Sequence, residues 1–262
     1  MPQTPTGLPP DIRACLFDLD GVLTPTATIH AAAWKEMFDA FLRSYSDKHG
    51  EKFVAFDPHD DYDTYVDGRI RTDGTRGFLE SRHIDLPEGM PDDKPGTETI
   101  NGLGNAKNDL FLTKIKSGHL SAYEGSVRYL HAVKAAGLAR AVVSASANCA
   151  DILKAVGISD LFDVRVDGIT ADKEHLAGKP KPDTYLAAAN KLGMDAAEAA
   201  VFEDALSGVE AGRSGKFGYV VGVDRVGQAD ELKAHGADIV VTDLAHLMNL
   251  HERGPFMNGA RS

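Results

Sequence analysis

Asp18 and Asp20 stand one residue apart, where the apolar run from Arg13 to Phe17 gives way to Gly21. The run is continuous rather than alternating, which predicts a short strand buried on both faces. Carboxylates are costly to bury unpaired, so a pair at the end of such a strand calls for a cation. Aspartate can also act as a covalent nucleophile toward phosphate. A plain strand followed by an Asp-Gly turn fits the same residues, and the pair alone does not choose between these readings.

Three further clusters carry matching chemistry. Ser144-Ala145-Ser146-Ala147-Asn148 ends the apolar stretch that begins at Ala139 and opens a helix. Backbone N–H groups, a helix dipole and a hydroxyl make that a ready anion site. Gly178-Lys179-Pro180-Lys181-Pro182-Asp183 puts a lysine in the loop before another helix, and Glu203-Asp204 ends the strand that starts at Ala199. In an open α/β sheet, ligands bind beyond the carboxyl ends of the strands. An acid pair, a hydroxyl, a cation and a second acid pair are therefore expected to converge there. This is a kit for phosphoryl transfer. Three carboxylates from two strands suit Mg²⁺, a hard cation that takes oxygen ligands. The metal and Lys179 would neutralise the phosphoryl oxygens as Asp18 approaches phosphorus. A lysine about 4 Å from a phosphate oxygen contributes roughly 4 kcal/mol at an effective dielectric near 20. Plainer readings remain for single members: Ser144 as a helix cap, Lys181 as a solvated neighbour.

The elements that must position these residues follow from the patterning. From Ser121 onward, apolar strand-like runs alternate with helical segments, which predicts a doubly wound parallel sheet. Ser121-Ala122-Tyr123-Glu124 reads as a capping box opening the first helix of that part. Strands are expected at Ala139–Ser144, Val164–Val166, Ala199–Glu203, Phe217–Val221 and Asp238–Val241. Residues 26–117 contain nothing resembling a buried strand. Helices are expected at Ala27–Phe41, Thr75–Arg82 and Asn105–Lys116, from apolar residues at helical spacing such as Ile29, Ala33, Trp34, Met37, Phe38 and Phe41. The acidic stretch between them, Asp57 to Asp67, reads as a solvated face. The expected organisation is an α/β core of residues 1–25 and 118–262 with a helical insert of residues 26–117.

Bulk properties exclude some function classes. The net charge of −11 on 262 residues argues against a general nucleic-acid or membrane-surface binder. No apolar run approaches the roughly 18 residues of a membrane span. Cys15 and Cys149 read as reduced, buried thiols, which with the absent signal pattern leads to a cytoplasmic expectation. Met1–Pro10 and the tail after Leu250 read as a loose arm and a frayed end. Gly102-Leu103-Gly104 follows no strand, so a dinucleotide fingerprint is not met.

Taken in order, Asp18-Leu19-Asp20-Gly21-Val22-Leu23-Thr24, Val142-Val143-Ser144, Lys179-Pro180-Lys181-Pro182-Asp183 and Glu203-Asp204 resemble the haloacid dehalogenase superfamily of aspartate-nucleophile phosphotransferases. The position of the insert, with Thr26, His30, Trp34-Lys35, Gly68, Arg71, Lys107-Asn108-Asp109 and Ser144 to Asn148, resembles the β-phosphoglucomutase-like subfamily with a small helical cap. The resemblance implies a Rossmann-like core, Mg²⁺ and an aspartyl-phosphate intermediate. It makes Asp18, Asp20, Ser144 and Lys179 catalytic and puts the metal among Asp18, the Asp20 carbonyl, Glu203 and Asp204. It gives substrate contacts to His30, Trp34, Arg71, Lys107, Ser146 and Asn148. The implied activity is isomerisation of a sugar phosphate by a monomer, β-glucose 1-phosphate to glucose 6-phosphate. The alternative is a sugar-phosphate or small phosphomonoester phosphatase on the same scaffold. Pro25 and Ala147 depart from the mutase pattern, where an acidic residue and a lysine are expected, and the cap is extended near residues 51–65 and 85–99.

Overall fold

The structure is a computed structural model that describes residues 6–118 and 120–248. Its centre is a six-stranded parallel sheet in the order β3-β2-β1-β4-β5-β6. The strands are β1 (Ala14–Phe17), β2 (Ala139–Val143), β3 (Val164–Val166), β4 (Ala199–Glu203), β5 (Tyr219–Val223) and β6 (Ile239–Val241). β1 runs between β2 and β4, with Phe17 level with Val142 on one side and Phe202 on the other. Its apolar residues are continuous because both faces are covered. Cys15 and Phe17 join one cluster with Tyr129 and Phe202, while Ala14 and Leu16 join another with Tyr185 and Ala188.

The chain leaves the core after β1 and forms α1 (Thr26–His49), α2 (Arg71–Ser81) and α3 (Ile100–Ser117) before returning to it. These helices enclose their own apolar cluster, centred on Phe38, Phe56 and Phe78. The three rings pack with centroids 4.2–5.2 Å apart; each such pair adds about 0.5–1.5 kcal/mol beyond the area buried. The remaining helices flank the sheet: α4 (Glu124–Ala135), α5 (Cys149–Ala155), α6 (Gly168–Lys173), α7 (Asp183–Leu192), α8 (Leu206–Ser214), α9 (Ala229–Ala234) and α10 (Ala245–Met248). The doubly wound parallel core with an inserted helical cap is thus the architecture observed.

Several local expectations are corrected. α4 opens at Glu124 with Tyr123 at its N-cap and no side-chain cap, so the capping box at Ser121 does not form. The Tyr123 N–H instead donates to Leu23 O at 2.8 Å, tying the end of the cap connection to the turn after Asp20. The N-terminal arm is not loose where it is described. Thr6 and Leu8 are buried, and the Tyr129 hydroxyl donates to Thr6 O at 2.9 Å. The frayed tail after Leu250 lies outside the described residues. α1 runs on to His49, two turns past the expected end, and stops at Gly50, which takes the left-handed conformation at φ 67°. The acidic stretch is not a purely solvated face. Its Tyr62–Val66 segment forms a π-helical turn whose Tyr62 and Val66 are buried.

Candidate active site

The carboxyl ends of β2, β1 and β4 lie side by side, at the point where the strand order reverses. Beyond them is a cavity of about 340 Å³, within the range of small-molecule sites. The core supplies Asp18, Asp20, Ser146, Asn148, Glu203 and Asp204 to its wall. His30, Trp34, Arg71 and Lys107 line it from the cap. Ser144 and Lys179 lie just beneath, both buried.

Asp18 extends the β1–β4 pairing, donating its N–H to Phe202 O at 3.0 Å. Lys179 Nζ reaches Asp18 Oδ1 at 2.5 Å and also pairs with Glu203 Oε1. Glu203 is fully buried and further fixed by the Tyr185 hydroxyl at 2.8 Å and the Ala205 N–H at 3.2 Å. Burial presses the ammonium toward neutrality, but Asp18 and Glu203 outweigh it and hold the Lys179 pKa above the usual lysine range. Burial pushes Asp18 up, against the pull of Lys179. Asp204 is raised by burial and then by the charges of Asp67 and Glu203.

That surplus of negative charge is what a cation would relieve. Carboxylate oxygens of Asp18, Glu203 and Asp204 all lie within 4.8 Å of one another, so the donor set fits a hard divalent ion. The Asp20 carboxylate is not part of this group. It turns toward the cap, accepting from the Thr26 hydroxyl and standing 3.4 Å from His30 Nε2. Burial opposes its ionisation, but His30, Thr26 and Lys107 prevail and its pKa falls to about 2. Ser144 Oγ lies 3.4 Å from Asp20 Oδ2 and accepts the Ser146 N–H at 3.1 Å. It therefore both meets the acid pair and caps the following turn.

On the cap, the Arg71 guanidinium donates to Asn105 Oδ1 at 3.2 Å. Asn148 Nδ2, from the core, donates to Asn108 Oδ1 at 2.9 Å. Asn105 and Asn108 are three apart on α3 and so share one face of it. Arg71 and Asn148 thereby meet neighbouring turns of the same helix. Trp34 serves two purposes: it lines the cavity and stacks on Phe38 in the cap's apolar cluster. Lys181 is exposed, as its plainer reading has it.

Asp67 is a titratable cavity residue that sequence reasoning missed. Burial and the charge of Glu203 raise its pKa to about 7. Its carbonyl accepts the Ser207 hydroxyl of α8 at 2.9 Å, so the cap loop docks directly beside Glu203 and Asp204. Gly68, at φ 68°, makes this possible, since a Cβ there would come within 2.6 Å of Ser207 Oγ. The Gly68 in the sequence was a signal of that close approach; nothing in the polar run marked Asp67 itself.

A family model described as haloacid dehalogenase-like hydrolase matches residues 12–216. A beta-phosphoglucomutase of Mycobacterium bovis is 56% identical over 245 residues, covering 92% of this chain and 94% of that one. A beta-phosphoglucomutase of Bacillus subtilis is 27% identical over 236 residues, covering 90% and 92%. The solved beta-phosphoglucomutase of Clostridium difficile superposes with a TM-score of 0.70 at 26% identity, covering 90% of this chain and 93% of that one. With the sheet order, the cap and the converging acid pairs, these similarities make the chain an enzyme of the haloacid dehalogenase-like hydrolase family, in its beta-phosphoglucomutase-like branch.

Proposed function

We propose that this enzyme interconverts β-glucose 1-phosphate and glucose 6-phosphate through a hexose bisphosphate. The observation that carries the reading is two sets of side chains at one cavity whose chemistry suits a phosphate. Asp18 and Lys179 form one on the core. Arg71 and Asn148, which bond to neighbouring turns of α3, offer the other. A mutase must hold a second phosphate while the first reacts, and a guanidinium fork suits that task.

Asp18 is the proposed nucleophile. Its carboxylate attacks phosphorus, a P–O bond to the sugar breaks, and an aspartyl-phosphate forms. Lys179 holds the transferring phosphoryl oxygens, and Ser144 contributes a hydroxyl. Asp20 gives the leaving sugar oxygen the proton that, as an ionised base, it takes in the other half-reaction from the sugar hydroxyl attacking the aspartyl-phosphate. Its low pKa keeps it ionised, ready for the second of these roles. Asp18, Glu203, Asp204 and the Asp20 carbonyl would hold Mg²⁺, which when bound neutralises charge on the phosphoryl group. Cap residues His30 and Lys107 orient Asp20; Trp34 and Ser146 face the sugar. No helix among the described residues is long and apolar enough to cross a membrane.

The test is incubation with Mg²⁺, β-glucose 1-phosphate and a trace of glucose 1,6-bisphosphate. Glucose 6-phosphate without free phosphate is the expected product. Rapid phosphate release with no isomerised sugar would replace the mutase with a phosphatase.

A further inference from the structure

The turn after Asp20 is gripped from behind by the loop that follows β5, a contact with no part in the chemistry above. Arg225 Nε donates to Gly21 O at 2.7 Å, Nη2 to Val22 O at 3.4 Å and Nη1 to Thr242 O at 2.8 Å. Its guanidinium lies 3.8 Å from the centre of the Tyr123 ring, whose own backbone N–H holds Leu23 O. Three residues on, Gln228 Nε2 donates to the carbonyl of Asp204 at 3.0 Å. The loop is itself fixed, because Asp224 Oδ1 accepts the N–H groups of Val226, Gly227 and Gln228 at 2.6–3.2 Å. One short loop therefore holds the backbone of Asp204 and the backbone just after Asp20. The two are in contact between those holds: a Cβ built on Gly21 would lie 1.6 Å from Asp204 Oδ2.

We propose that Arg225 and Gln228 are positioning residues that set the separation between the Asp20 turn and the Asp204 carboxylate, and through it divalent-cation affinity and proton transfer. The proposal rests on the roles given to Asp20 and Asp204 under Proposed function. A guanidinium suits the task. Its planar fork engages successive carbonyls with little entropy left to lose, and charged donors give the stronger hydrogen bonds. The requirement is stringent, since a displacement of about 1 Å in a reacting constellation can cost on the order of 100-fold in rate. Neither residue touches the substrate cavity, so the effect would pass through the backbone of the turn and of Asp204.

Arg225→Met keeps the stem on Tyr123 and removes the donors; Gln228→Ala removes the hold on Asp204 alone. Mg²⁺ binding is measured by isothermal titration calorimetry on the full chain, beside kcat, KM and the pH profile, with circular dichroism as the check on folding. Arg225→Met is expected to raise the Mg²⁺ Kd about tenfold and lower kcat about 100-fold, with the sugar-phosphate KM within about threefold. Arg225→Lys, which keeps one charged donor, should fall between. Gln228→Ala should raise the Mg²⁺ Kd about threefold with an unmoved pH profile, and it decides the matter if Arg225→Met does not fold. Folded variants whose Mg²⁺ Kd and kcat match the parent overturn the clamp alone. A parent chain that neither binds Mg²⁺ nor transfers phosphoryl groups overturns the underlying mechanism, and the clamp with it.

Discussion

Lys107 Nζ lies 2.5 Å from His30 Nδ1, joining α3 to the first turns of α1 across 77 positions of sequence. An ammonium has only donors, so Nδ1 accepts and the ring proton belongs on Nε2, assigned from this network. That nitrogen faces Asp20 Oδ1 at 3.4 Å. While Lys107 is charged, the cap thus faces the Asp20 carboxylate with a ring N–H whose tautomer the lysine sets. Burial, helped by the charge of Arg71, lowers the Lys107 pKa to about 7 although Asp20 opposes it.

A pH dependence of stability follows. Lys107 titrates near its ordinary 10.5 when unfolded and near 7 when folded, so between those values the unfolded chain binds more protons. Its contribution is present in full above 10.5 and is lost as the pH falls through about 7. The gap between the two values caps the effect at about 5 kcal/mol. Chemical denaturation of the metal-free protein at pH 7 and pH 9 should show stability rising with pH, and Lys107→Met should flatten that rise. An unchanged slope in the variant would show that Lys107 is not the group responsible.

Asp18→Asn should abolish aspartyl-phosphate labelling and lower turnover by on the order of 10⁴-fold or more, while the fold is kept. Labelling with acid-quenched radioactive phosphoryl donor is the measurement. Label persisting in the variant would remove Asp18 as nucleophile.

Arg71→Ala should separate the two grips. Mutase turnover is expected to drop about 100-fold or more, with hydrolysis of a simple aryl phosphate changed by less than about threefold. Equal losses on both substrates would take Arg71 out of the distal-phosphate role.

Asp67→Asn relieves a carboxylate that burial and the charge of Glu203 hold near 7. Its raised pKa means that stability is present below the ordinary carboxylate range near 3.8 and lost as the pH climbs through about 7. The variant should therefore be more stable than the parent in metal-free buffer at pH 8, by about 1–3 kcal/mol. Saturating Mg²⁺ should narrow the difference. Calorimetric melting with chelator and with Mg²⁺ reads both outcomes, and a variant less stable at pH 8 would contradict the argument.

Gly21→Ala tests the close approach at the core. Gly21 adopts φ 80°, and a methyl group would overlap the Asp204 carboxylate. A loss of about 1–3 kcal/mol in stability together with weakened Mg²⁺ binding is expected, measured by melting and calorimetry. A variant with unchanged Mg²⁺ affinity would show that Asp204 can move aside.

Much of the catalytic end of the molecule was legible because parallel strands write themselves as continuous apolar runs with their functional residues at the carboxyl end. β4 ends at Glu203 as expected, and Asp18, Asp20 and Ser144 follow their strands directly. His30, Trp34 and Lys107 were legible as helix positions, and Arg71, which opens α2 four residues before the expected start, only as a match to a motif. What remained hidden depends on tertiary contact. Ser121 had the composition of a capping box, but Tyr123 was drawn instead to Leu23 O. Asp67 sits in a run rich in exposed acids, and only the docking of its carbonyl on Ser207 turns it inward. Thr6 is held by the Tyr129 hydroxyl, more than a hundred residues away, and Leu8 is buried in the cluster that contains the same ring, which no local pattern reports.

The aromatic cluster around Phe38, Phe56 and Phe78 lies within the cap, whereas the cluster beside β1 also takes in Ala33 and Phe111 from the cap helices α1 and α3. The part of the cap around Phe38 can then accept changes without disturbing the sheet, while Ala33 and Phe111 tie the near side of α1 and α3 to the core. Lineages carrying this architecture are free to renovate the far side of the cap, above all by lengthening its loops, while the sheet half stays fixed. Diversity in what such enzymes recognise should accordingly concentrate between residues 26 and 117, and chimaeras joined at Pro25 and Ser117 offer a direct way to transplant it.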